Sequence, residues 1–212
     1  MEPAETTVRA VRDVGPDTVA IDLASPAGFA AEPGQFVKLT AVLDGEEESR
    51  FYTVSSPETD DAFELTVSYD ADEAGGFSEY LLALDAGDAV TVTGPFGRDY
   101  YEGEARSLVL AGGPGVGPAV AIAERALRDG NEVTVVYRDD APVHEDRLAA
   151  AASAGAEVFV LGDDDAVREA VADAYDGQQL FVYGFADFVD LAEASVTAAG
   201  GDLDGAKVES FG

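Results

Sequence analysis

The chain has 212 residues, enough for one large domain or two small ones, and 47% of them are hydrophobic, so a real core can form. Its 43 acidic residues outweigh 12 basic ones, and the resulting net charge of −31 repels phosphates and excludes nucleic acid as a partner. It has no cysteine, which excludes disulfides, thiolate zinc sites and cysteine-held iron–sulfur clusters; its single histidine, His144, leaves no histidine-based metal site, and no Ser-His-Asp triad is evident around it.

A surface or capping role is expected of His144. The acids are spread along the whole chain, and every basic residue except Lys38 and Lys207 is an arginine. That is the surface expected of a halophilic protein, hydrated in concentrated salt that screens repulsion to about 3 Å at 1 M. No run of about eighteen apolar residues occurs, and the start MEPAETTVRA lacks a signal-peptide core. A soluble, cytoplasmic protein without a membrane span is expected.

In chain order, the first hundred residues fall into strand lengths. TTVRAVRDV (6–14), DTVAIDLAS (17–25), GQFVKLTAVL (34–43), SRFYTVSS (49–56), AFELTVSY (62–69) and DAVTVTG (88–94) alternate or run apolar and are rich in Val, Thr, Phe and Tyr. Gly15-Pro16, Pro33-Gly34, Asp44-Gly45 and Asp60-Asp61 punctuate them as turns. Six such strands predict a six-stranded antiparallel Greek-key barrel. One segment breaks the period: in GGFSEYLLALDAGD, Phe77, Tyr80, Leu81 and Leu84 lie at helical spacing, so a lone helix is expected before the sixth strand.

From about residue 105 the rhythm becomes strand, helix, strand, helix. SLVLAGG, EVTVVYR, EVFVLG, QQLFVYG and AKVESFG are strands, separated by helices at 116–130, near 144–155, at 163–177 and at 185–201. Nearly continuous apolar strands alternating with amphipathic helices predict a doubly wound parallel α/β domain. The expected domains are therefore 1–102, a β-barrel, and 103–212, an α/β unit.

Two places carry backbone chemistry. In LVLAGGPGVGPAVAIAERAL, Gly112, Gly113, Gly115 and Gly117 follow an apolar strand, and Pro118 falls in the first turn of the next helix. Glycines admit a ligand close to the backbone and aim unpaired helix N–H groups at it, so a diphosphate is expected there. The spacing is not that of the common Gly-x-Gly-x-x-Gly fingerprint. In EAGGFSEYLLAL, Gly75 and Gly76 free the backbone and Ser78 can cap the helix or donate to phosphate. Arg50 could supply the matching positive charge, and strand alternation turns Phe51 and Tyr52 to opposite faces, one to the core and one to a ligand.

Taken in order, these segments resemble the ferredoxin–NADP reductase superfamily, over nearly the whole chain. The resemblance rests on PGQFV (33–37), RFYTVSS (50–56), GGFSEYL (75–81), GDAVTVTGPFG (87–97), AGGPGVGP (111–118) and the terminal ESFG. It implies a flavin-binding barrel followed by a nicotinamide-binding domain, with FAD preferred to FMN and NADH or NADPH as substrate. It implies Arg50 on the flavin phosphate, Tyr52 stacked on the isoalloxazine and Thr53 hydrogen-bonded near its N5 edge. Gly75, Gly76, Phe77 and Ser78 would bind the diphosphate, with Val67 and Ser68 also in the flavin site. Gly113, Gly115, Val116 and Pro118 would frame the nicotinamide nucleotide, alongside Arg138, Asp139, Tyr183, Gly184 and Phe185. Glu209 would orient or protonate nearby groups and Phe211 would cover the flavin face. The implied reaction passes hydride from nicotinamide to flavin and then single electrons to a separate carrier such as ferredoxin.

Two departures from the family pattern matter. Where members carry Cys-Gly-Pro-x-x-Met, this chain has YGFADF, so Tyr183, Phe185 and Phe188 replace the cysteine, proline and methionine while Gly184 persists. The alternative reading is thus a flavin-binding electron-transfer or regulatory subunit with an impaired nicotinamide site. Asp139 and Asp140 end the second α/β strand, where carboxylates favour a ribose hydroxyl over a 2′-phosphate; Arg138 beside them argues the other way.

Overall fold

The computed structural model describes residues 1–43, 45–69 and 76–211, and the chain divides into two compact units, Met1–Tyr100 and Tyr101–Gly212. Unit 1 holds β1 (Ala4–Gly15), β2 (Thr18–Ala24), β3 (Phe36–Leu43), β4 (Glu46–Thr53), β5 (Ala62–Ser68), α1 (Gly76–Leu82) and β6 (Ala89–Phe96). All its strand pairs are antiparallel, in the order β4-β3-β6-β1-β2-β5. The alternation seen in the sequence has a physical end: Val37 and Leu39 of β3, Val90 and Val92 of β6, and Leu65 and Val67 of β5 point into one core. Register shifts in the β1–β2 ribbon, between Val8 and Ala10 and between Asp13 and Gly15, bend the sheet so that it can curl round that core.

Curling brings β4 and β5 together, but among the described residues they are joined by one isolated bridge, from Val54 just past β4 to Leu65, where every other neighbouring pair forms a ladder. Here α1 packs against β3, β4 and β5 and drives Phe77 and Leu81 into the core. Burying two such side chains contributes about 1.5–3 kcal/mol each, which anchors a helix too short to stand alone. The β4 strand begins at Glu46 rather than Ser49, because the run Glu46–Glu48 pairs along β3 without an apolar pattern to announce it. Across the far ribbons, Arg12 donates to Asp22 (3.1 Å) and to the buried Glu64 (2.6 Å), joining β1, β2 and β5.

Unit 2 alternates β7 (Arg106–Gly112), α2 (Val116–Asp129), β8 (Glu132–Arg138), α3 (Glu145–Ala154), β9 (Glu157–Leu161), α4 (Asp164–Ala174), β10 (Gln179–Gly184), α5 (Ala186–Ala198) and β11 (Lys207–Ser210). Its sheet is parallel, in the order β11-β10-β7-β8-β9. The strands are continuous apolar runs because α2 and α3 pack together, as do α4 and α5, so both faces are covered. The entering segment is tied down by Tyr101, whose hydroxyl accepts from Asn131 (2.7 Å), and by Lys207, which donates to Glu102 (2.8 Å) and to Glu104. His144 is not on the surface: it is buried, in the left-handed region (φ 56°), and precedes α3 without a side-chain capping bond. It is the backbone here that turns the chain into the helix. No helix among the described residues is long and apolar enough to cross a membrane.

Candidate functional site

In unit 1 the candidate residues gather at the incompletely paired β4–β5 edge. Arg50 and Tyr52 lie opposite Leu39 and Val37 in the β3–β4 register, which puts them on the barrel's inward side of β4, while Phe51 faces out. Tyr52 is half-buried against the core and Thr53 half-buried at the strand end, beyond which Val54 leaves the β3 ladder for its bridge to Leu65. The Arg50 guanidinium is exposed and donates to the Ser49 carbonyl (2.9 Å), and it pairs with no carboxylate among the described residues. That is notable in so acidic a chain. Most other arginines of the molecule are matched, Arg106 to Asp176 and Glu132 and Arg147 to Glu124 among them. An exposed cation without a carboxylate, a half-exposed aromatic ring and a hydroxyl at an open sheet edge fit an anionic, planar-ringed cofactor.

The same edge carries Gly76, Phe77 and Ser78 in α1 and Val67 and Ser68 at the end of β5. Phe77 and Val67 are core residues, and the Ser68 hydroxyl accepts from Thr18 (3.1 Å), so Phe77 and Val67 can meet a ligand through their backbone. Gly75 lies outside the described residues.

In unit 2 the chain runs outward from β7 through β8 to β9, then returns to β10 on the other side of β7. The β7/β10 junction is therefore a topological switch point, where the carboxyl ends of parallel strands leave a crevice for ligands. The glycine loop sits there. Gly113–Gly115 form one 3-10 turn that runs directly into α2, and neither Gly112 nor Gly115 offers a side chain to cap the helix, which leaves its amino end to an anion.

The glycines have separate reasons. A Cβ on Gly115 would lie 2.7 Å from the Tyr183 carbonyl carbon, and one on Gly112 would lie 2.6 Å from Phe188 Cδ2. Only Gly113 is required by its own conformation, with φ 54° and open space around it. Much of the glycine density thus serves close packing of β7 against β10 and α5, and Gly113 with Pro114 form the partly exposed tip. Val116 and Pro118 are buried behind it. The Phe188 ring, which stands where the family pattern has methionine, fills the space over Gly112 and Gly184.

The terminal segment comes to the same junction. β11 pairs with β10 so that Glu209 is beside Tyr183, and the Phe211 amide donates to the Gly184 carbonyl (3.0 Å). Phe211 then packs edge-on against Phe185, with ring centroids 6.1 Å apart. Residues 183–185 and 209–211, remote in sequence, thereby form one cluster beside the glycine loop. At the end of β8, Arg138 pairs with Asp164 (3.3 Å) and Asp140 (3.5 Å). Asp139 is turned into its own loop, accepting from the Tyr137 hydroxyl (2.9 Å) and the Ala141 amide (2.9 Å). Burial pushes the Tyr137 phenol far up from its ordinary value, so it stays a proton donor throughout the usual pH range.

Two groups escaped notice in the sequence. Asp164 was hidden in an acidic run, and only the tertiary pairing singles it out. Phe36, Phe51 and Phe96 cluster on the outside of the barrel, with centroids 5.6–6.4 Å apart and Phe51 62% exposed. The outward parity of Phe36 and Phe51 was legible, but their meeting with Phe96 depends on β6 pairing with β3.

Comparison with known proteins agrees with this architecture. Residues 5–101 match the family described as the oxidoreductase FAD-binding domain. A probable dihydroorotate dehydrogenase B (NAD(+)) electron transfer subunit of Methanopyrus kandleri is 35% identical over 62% of this chain and 46% of its own length. Ferredoxin–NADP reductase B of Sorangium cellulosum is 33% identical over 66% of this chain and 63% of its own. The chain thus spans less than two thirds of these relatives. The FAD/NAD-binding domain of a Vibrio cholerae nitric oxide dioxygenase superposes with a TM-score of 0.79 at 18% identity, covering 98% of each chain, which establishes the two-domain fold.

Proposed function

We propose, from a barrel that matches the oxidoreductase FAD-binding domain family over residues 5–101, that this chain is a flavin-dependent oxidoreductase. It takes hydride from NAD(P)H and passes electrons to a separate carrier. The observation that carries the reading is Arg50, an exposed cation that pairs with no carboxylate among the described residues, at the open β4–β5 edge beside a half-exposed tyrosine. When bound, FAD supplies the conversion of a two-electron hydride donor into single electrons. Arg50 neutralises its phosphates, Gly76 and Ser78 approach them from α1, Tyr52 packs against the ring, and Thr53 offers a hydroxyl at the ring edge. In unit 2, Gly113 and the amino end of α2 hold the dinucleotide phosphates. Phe185 and Phe211 shield the cluster beside the glycine loop from water, and Glu209 is the nearby group able to hold a proton.

The carrier would dock on Phe36, Phe51 and Phe96. Lys38 lies opposite Phe51 in the β3–β4 register and Arg98 follows Phe96 by two residues; neither pairs with a carboxylate among the described residues. An aromatic patch edged by unmatched cations suits a small acidic electron carrier, a ferredoxin being the class in view, with salt screening the acids elsewhere. Phe51→Ala is expected to raise the KM for such a carrier by about tenfold, the usual scale for losing an aromatic anchor. Ferricyanide reduction, which needs no docking, should change far less.

The alternative, a flavin-binding subunit with an impaired nicotinamide site, is favoured by the bulk of Phe185 and Phe188 in the altered segment. Anaerobic stopped-flow absorbance in molar potassium chloride, the medium suited to a halophilic surface, separates the two. Rapid bleaching of the flavin band by NADH supports the oxidoreductase. A yellow protein that NADH does not bleach supports the subunit, and a colourless protein that FAD does not reconstitute sinks both.

A further inference from the structure

On the reading that unit 2 binds a nicotinamide dinucleotide, we propose that Asp164, at the start of α4, determines specificity for NADH. It does so by holding Arg138 away from a 2′-phosphate, with Asp140 as the second hold. The strand ends place these groups together: Arg138 is beside Gly112 across β7–β8 and beside Leu161 across β8–β9. A dinucleotide whose phosphates sit on the glycine loop extends its adenosine ribose over the end of the neighbouring strand, which is β8.

At that place an arginine ordinarily signals a binder of 2′-phosphate. This one is turned elsewhere. Its Nε lies 3.3 Å from Asp164 Oδ1 and its Nη2 lies 3.5 Å from Asp140 Oδ1. Asp139 does not compete for it, because the Tyr137 hydroxyl and the Ala141 amide hold both of its oxygens, while Tyr137 also accepts from the Val143 amide (3.3 Å). The loop is therefore fixed by Tyr137 and Asp139, and the guanidinium is balanced by Asp140 and Asp164.

Each half-exposed pair is weak by itself. The discrimination is collective: a 2′-phosphate must displace carboxylates from Arg138 and then lie among them, whereas a ribose hydroxyl brings no charge and can donate to one. Asp164 acts through Arg138 and is a positioning residue.

The test is a set of variants of the full chain, loaded with flavin and titrated with NADH and NADPH by calorimetry at fixed salt. The kcat/KM ratio for the two nucleotides is taken alongside. Wild type is expected to favour NADH by roughly tenfold or more, and Asp164→Asn to narrow the ratio by roughly fivefold, the scale of one near charge at a partly solvated site. Asp140→Asn/Asp164→Asn should narrow it further, and adding Arg138→Leu should remove that gain. Asp165→Asn deletes the same charge one residue away, from a pair with Arg168 (2.8 Å), and should move the ratio much less. An unchanged ratio in the double variant overturns the proposal, as does an equal effect of Asp165→Asn or a gain that survives loss of Arg138. If wild type binds neither nucleotide, the nicotinamide reading of unit 2 falls and this proposal with it. Tight NADH binding with an unmoved ratio overturns this proposal alone.

Discussion

Gly115→Ala is expected to lower the midpoint of thermal unfolding by about 10 °C and to weaken NADH binding more than tenfold. The added methyl would meet the Tyr183 carbonyl carbon at 2.7 Å, and that carbonyl is main chain in β10. It cannot swing aside as a side chain would, since Tyr183 is in register with Ala111 of β7 and Glu209 of β11. Overpacking against a fixed backbone costs about 3 kcal/mol or more, and each kcal/mol moves the midpoint of a chain this size by roughly 2–4 °C. Gly113→Ala is the contrast. Its Cβ has open space, and the cost of about 1–2 kcal/mol is that of a left-handed φ alone. Circular dichroism melts of the two variants in the same salt check the ordering. Equal losses would show that the loop's glycines serve backbone conformation rather than packing against β10.

Arg50→Ala is expected to purify with little flavin while keeping its fold. The guanidinium is exposed and, among the described residues, bonded only to the neighbouring Ser49 carbonyl, so its removal leaves no described buried group unmatched. A hydrogen bond to a charged partner is worth about 1.5–3 kcal/mol, which corresponds to roughly 10- to 150-fold in FAD affinity. The ratio of flavin to protein absorbance after dialysis, with a fluorescence titration of the stripped protein, gives the number. Arg50→Lys should recover part of the affinity, because lysine keeps the charge but not the two-pronged geometry. A fully yellow Arg50→Ala protein would mean that the phosphates are held elsewhere, and the assignment of β4 as the flavin edge would fail.

These predictions rest on information of two kinds. The alternation of Val37 and Leu39, the turn residues between strands and the apolar run before Gly112 were legible because each records the environment of its own short segment. The glycine loop was legible as an unusual backbone, but its cause was not. Gly112 and Gly115 look like ligand-binding glycines until Phe188 and Tyr183, some seventy residues later, are placed against them. His144 was expected on the surface or as a cap, because burial of a lone polar residue by surrounding elements leaves no local mark. The early start of β4 was hidden for a related reason: an exposed edge of glutamates pairs through its backbone, which any sequence supplies.

By itself, the sequence determined the two-part architecture, the strand and helix periods, and the family likeness of the flavin edge. All of these follow from local patterning, composition and motif order. Only the tertiary structure decided which charges are matched. Among the described residues it left Arg50, Lys38 and Arg98 without carboxylates, and it gave Arg138 to Asp164 and Asp140. It also brought Phe185 to Phe211 and Phe36 and Phe51 to Phe96. The reason is physical: a charge or a ring acts over a few ångström of space, and strand pairing, not chain distance, sets which groups come that close.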